Sequence, residues 1–168
     1  MTLRQEAVIV RLARTVEAMP ALEGAILIGS FAADTADEIS DVDVIAIVSE
    51  GRFDEAWDGR SDLEGSEALV AWDAVDPQHA EIRGHKWLTK DMVLVDCLLA
   101  TPSSGVRLAN PFRVLAGGSS LPDRLTRRQP IVRAEVEAFA DELEAAGRVH
   151  DAERAYHALA NTIRAARS

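Results

Sequence analysis

One stretch constrains this chain more than any other. Residues 26–48 read ILIGSFAADTADEISDVDVIAIV, two short apolar runs on either side of a polar segment. The run 25–28 is continuously apolar, which predicts a buried strand, and Gly29-Ser30 breaks it. Residues 34–40 are polar and turn-rich. The run 42–48 is rich in β-branched residues and apolar on both faces after its first positions, as expected of a central strand.

The flanking sequence predicts the rest of a mixed α/β body. Thr2 can cap a first helix, with Gln5 closing a capping box. Val8, Leu12, Val16 and Met19 recur at helical spacing, and Pro20 ends the helix. Phe53 and Trp57 suit a short helix ending near Gly65. Strands are expected at 68–72, up to Trp87-Leu88, and at 92–100, with a turn at 89–91. Asn110-Pro111 and residues 117–120 are loop signals. Pro130 suits the first turn of a helix faced by Val132, Val136, Phe139 and Leu143. Gly147 stops it, and Val149, Ala152, Tyr156, Leu159 and Ile163 mark a last helix. The expected fold is α+β: a mixed β-sheet core flanked by helices over 1–120, and a helical hairpin over 121–168 packed on or near it. No internal repeat or low-complexity tract interrupts this layout.

At 168 residues the chain fits one compact domain or a domain with a small appendage. Its net charge of −10 argues against long nucleic acid, which needs a basic face, and against an anionic membrane surface. No apolar run approaches the roughly 18 residues of a membrane span. The first 20 residues read as an amphipathic helix and not as a signal peptide. A lone cysteine, Cys97, excludes an internal disulfide framework and suits a reducing cytoplasm. The charge is unevenly spread. Residues 121–168 hold eight arginines and eight acids, whereas residues 34–81 hold fifteen acids against Arg52 and Arg60. Most of these acids belong on a solvated surface, and a few could gather around a cation.

Glycine at 29 lets backbone approach a ligand closely. If a helix starts after Ser30, its free N–H groups and the serine hydroxyl form an anion site. Asp41 and Asp43 are two apart on a strand, so both carboxylates project from one face, roughly 6.6–6.8 Å apart at Cα. That spacing suits shared ligation of Mg²⁺, which binds through one or two carboxylates plus substrate phosphates.

Ile28-Gly29-Ser30 followed by Asp41-Val42-Asp43-Val44 resembles the signature of the nucleotidyltransferase superfamily. That superfamily includes polymerase-β-like enzymes, antibiotic nucleotidyltransferases and small minimal nucleotidyltransferases. The family places a third carboxylate on a later strand, and Asp96, inside the apolar run 93–98, matches it. The match covers about residues 22–100. Where many bacterial members carry Ala-Arg-Gly, this chain has Ala32-Ala33-Asp34.

The resemblance implies transfer of a nucleoside monophosphate from an NTP, ATP by preference, to a hydroxyl of a small molecule, with release of pyrophosphate. Two Mg²⁺ ions would be held by Asp41, Asp43 and Asp96. Asp96 would be the general base or would orient the acceptor hydroxyl, and Gly29 and Ser30 would hold the phosphates. Arg83, Lys86 and Lys90 are the candidate triphosphate cations. An aminoglycoside-like antibiotic is one implied acceptor, because an acidic stretch would attract a polycation. Two further readings are a minimal nucleotidyltransferase antitoxin with a protein partner, and a non-catalytic nucleotide-binding relative.

Other chemistry-bearing residues have plainer roles. Asp73 is expected at a strand end and Asp91 in a turn. His79 and His85 are expected at the surface, and His150 and His157 on a solvated or packed helix face. Cys97, Trp57, Trp72 and Trp87 are expected in the core.

Overall fold

A computed structural model describes residues 3–75 and 80–127. The expected helical hairpin, with Thr2, His79, His150 and His157, lies outside the described residues. A long helix, α1 (Leu3–Ala18), precedes β1 (Leu22–Ile28). A one-turn helix, α2 (Gly29–Ala32), and a loop lead to β2 (Val42–Val48). Two short helices, α3 (Phe53–Asp58) and α4 (Ser61–Glu64), precede the hairpin of β3 (Ala68–Val75) and β4 (Ile82–Thr89). Then come β5 (Leu94–Ala100), β6 (Arg107–Leu108), β7 (Arg113–Ala116) and β8 (Thr126–Arg127). The compact unit that contains these strands runs to Arg127.

The fold is mixed α/β around a six-stranded sheet of order β3-β4-β5-β2-β1-β7. Only β2 and β5 pair in parallel within that sheet; its other neighbours are antiparallel. A parallel pair needs a crossover, and the chain between β2 and β5 supplies it through α3, α4 and the β3–β4 hairpin. Both β2 and β5 are interior strands, which explains their apolar character on two faces.

Alternation along the strands divides the core in two. On the first face, Val8, Leu12 and Val16 of α1, Phe53 and Ala56 of α3, and Leu63 of α4 pack on Val42, Val44, Trp87, Val95, Cys97 and Leu99. On the second face, Ile26, Ile45, Ile47 and Ala100 pack against Val106, Leu108, Leu121 and Leu125. This second cover reaches the later residues of β2 and β5. The earlier positions on that face, Asp43 and Asp96, are only partly buried.

The expected capping box between Thr2 and Gln5 lies outside the described residues. Gln5 also reaches away from its own helix: its Nε2 donates to the carbonyls of Asp37 (3.0 Å) and Ser40 (2.7 Å), and the side chain is buried. The helix after β1 begins at Gly29 and lasts one turn, so its macrodipole is negligible.

Candidate functional site

Sheet register assembles the site. Asp43 on β2 pairs with Ile28 on β1 and with Asp96 on β5. Asp96 in turn pairs with Lys86 on β4, and Lys86 with Trp72 on β3. Directly paired residues share a face, so Ile28, Asp43, Asp96, Lys86 and Trp72 form one row across five strands. Neighbouring strands are about 4.8 Å apart, which brings the carboxylates of Asp43 and Asp96 together although 53 positions separate them in sequence.

Gly29 closes the end of this row. Its φ of +67° turns the chain out of β1, a conformation that favours glycine. A Cβ there would stand 2.3 Å from Asp43 Oδ2. Backbone of the Gly-Ser turn therefore lies directly against the Asp43 carboxylate. Asp41 immediately precedes β2. The loop leading to it is fastened by Gln5 and by Asp37, whose Oδ1 accepts bonds from Ile39 N (3.1 Å) and Ser40 Oγ (2.7 Å). The Ser40 hydroxyl and Ile39 amide hold the Asp37 carboxyl below the usual range.

The electrostatics are those of crowded acids. Burial, then the charges of Asp41 and Asp96, push Asp43 up to about 6, while Lys86 pulls it down. Lys86 Nζ forms an ion pair with Asp96 Oδ2. Among the described residues, no three His, Cys, Asp or Glu side chains converge as a ready-made metal cage. Asp96 is engaged by Lys86, and the charge of Asp41 adds to that of Asp96 in raising Asp43. A pair of carboxylate oxygen donors beside an open backbone turn fits a hard cation completed by phosphate oxygens.

The structure separates the three candidate cations. Arg83 lies on the helix-covered face, its guanidinium over Phe53 (5.1 Å) and Trp57 (5.2 Å). Lys90 sits at the β4–β5 turn, donating to Ser66 O (3.1 Å). Lys86 alone of the three stands in the carboxylate row.

Several expectations are overturned. His85 is buried, because β4 is an interior strand and residue 85 faces the helices. Its Nδ1 lies 2.7 Å from Asp73 Oδ1 and its Nε2 2.9 Å from Glu64 Oε1. Ionised carboxylates only accept, so both bonds form together when the ring carries both protons. Asp73 does not end its strand but pairs through both oxygens with Arg60 (2.9 and 2.8 Å), which together with His85 lowers its pKa. Trp87 is fully buried as expected, but Trp72 is 44% exposed on the row face. Cys97 is a core residue whose thiol burial pushes up to about 12.

Part of the acid excess lies away from the row. Asp54, Glu55 and Asp58 lie on α3, and Asp62 and Glu64 on α4, against the opposite face of the sheet. No helix among the described residues is long and apolar enough to cross a membrane. No protein-family model matches this chain, and no curated protein matches it in sequence.

Proposed function

We propose that this protein is a Mg²⁺-dependent nucleotidyltransferase that moves a nucleoside monophosphate from ATP or another NTP to a hydroxyl of a small molecule in the cytoplasm. One observation carries the reading. Asp43 and Asp96 are in register on parallel strands, with Gly29 backbone closed against Asp43.

In this reading Asp41 and Asp43 hold Mg²⁺, and the Gly29 backbone and Ser30 hydroxyl meet phosphate oxygens. Bound Mg²⁺ would neutralise triphosphate charge and make the α-phosphorus more open to attack. Asp96 orients the acceptor hydroxyl. Lys86 takes Asp96 Oδ2, and Oδ1, outside that pair, accepts the hydroxyl proton. The acceptor oxygen forms a bond to the α-phosphorus as the bond to the bridging oxygen breaks. Pyrophosphate leaves with that electron pair, and the proton passes from Asp96 to solvent. The acid-rich helices lie on the opposite face, so the acceptor class rests on the hydroxyl chemistry and not on charge steering; an aminoglycoside-like antibiotic is one acceptor to test.

The test is transfer of α-labelled nucleotide to a panel of hydroxylated small molecules, with pyrophosphate measured in parallel. Labelled product that disappears in Asp41→Asn and Asp43→Asn supports the reading. Undiminished transfer by these variants would sink it.

A further inference from the structure

Lys86 reaches the carboxylates from the neighbouring strand, and its placement bears on how many metal ions the site can take. Its side chain is 32% exposed and that of its partner Asp96 34%, so the pair is set into the sheet surface and not extended into water. The ammonium acts on two acids: it pairs with Asp96 and offsets the crowding that raises Asp43. A two-metal clamp places dications on both sides of the reacting phosphorus, about 3.5–4 Å apart. A second dication held by Asp96 would share that carboxylate with an ammonium, and like charges at one carboxylate repel. Asp41, Asp43 and Asp96 carry three negative charges, and the Lys86 ammonium already offsets one of them before any metal ion enters.

We propose that Lys86 is the second cation of this site. One divalent ion binds with the nucleotide at Asp41 and Asp43, and the Lys86 ammonium, held by Asp96, supplies the charge a second ion would bring. An ammonium has three N–H donors. One is committed to Asp96 Oδ2, and the others are free to meet the acceptor oxygen as it loses its proton and an oxygen of the α-phosphate. This inference rests on the nucleotidyltransferase reading.

The test counts Mn²⁺ ions bound per protein, by electron paramagnetic resonance, in the presence of an ATP analogue with a methylene between its α- and β-phosphorus atoms. One ion is expected for the wild type and for Lys86→Arg, which keeps the charge. Two are expected for Lys86→Gln and for Lys86→Met, which remove it. Two ions in the wild type, whatever the variants do, would overturn the role of Lys86 and leave the nucleotidyltransferase reading standing. One ion in folded Lys86→Gln or Lys86→Met would overturn it as well. No Mn²⁺ in the wild type with the analogue present would overturn both.

Discussion

Asp43 and Asp96 face each other as register partners on the two parallel strands of the sheet, β2 and β5. A pair of acids so placed is a liability to an empty fold. Lys86 relieves it only in part, since Asp43 still sits at about 6. That cost, and the neighbours that create it, govern how the protein responds to pH, to substitution and to metal.

The folded-state pKa of Asp43 is raised from 3.8 to about 6, so the folded chain holds this proton more tightly than the unfolded chain. Stability falls as pH rises from about 4 through about 6, and the full penalty is present above that window. At one unit per 1.36 kcal/mol, discounted for partial solvent exposure, the penalty is roughly 1–2 kcal/mol. Asp43→Asn should therefore be more stable than the wild type at pH 7.5 without metal, and the gain should vanish near pH 4. Denaturant unfolding at both pH values checks this; an equal difference at the two would contradict it.

Gly29 gives a coupled prediction. Alanine there must adopt a φ of +67° and move the Asp43 carboxylate, whose Oδ2 lies 2.3 Å from the new Cβ. The backbone contribution costs about 1–2 kcal/mol. Asp43 is short and can rotate, so the larger effect should be on affinity for Mg²⁺ and nucleotide. In a double-mutant cycle, Gly29→Ala should cost at least about 0.5 kcal/mol less in an Asp43→Ala background. Strict additivity of the two substitutions would show that the contact is unimportant.

Gln5 should act as a positioning residue. Its Nε2 fastens two carbonyls of the loop that delivers Asp41. Gln5→Ala removes the side-chain donor to Ser40 O and one of two donors to Asp37 O, which keeps the Ser40 N–H (3.3 Å), costing about 1–3 kcal/mol. Affinity for Mg²⁺ and nucleotide should fall several-fold as Asp41 loses its place. Leu12→Ala, in the same helix but in the core, costs about 2–5 kcal/mol and should leave that affinity unchanged while the protein is folded. Equal affinities for both variants would remove Gln5 from the site.

Both halves of the motif were legible in the sequence for physical reasons. A Gly that ends an apolar run marks a turn, and an Asp-x-Asp at a strand start must place two carboxylates on one face. Asp96 was legible as a misfit in an apolar run. Lys86 was not separable from Arg83 and Lys90, because the choice depends on the register of β4 against β5, where residues 83 and 85 face the helices and 86 faces away. His85 was misread because its partners, Glu64 and Asp73, are distant in sequence and reach it only through the fold. Trp72 was misread because an aromatic in a strand gives no sign of which face the helices cover. β7 escaped notice as four residues between loop signals, too short to show alternation.

The central claim is that Asp41 and Asp43 bind a metal together with a nucleotide. Isothermal titration of ATP into the protein, with and without Mg²⁺, tests it most directly. The account predicts binding that requires Mg²⁺ in the wild type and is lost in the Asp41→Asn, Asp43→Asn double variant. Binding that is indifferent to Mg²⁺, or that survives the double substitution, would contradict it.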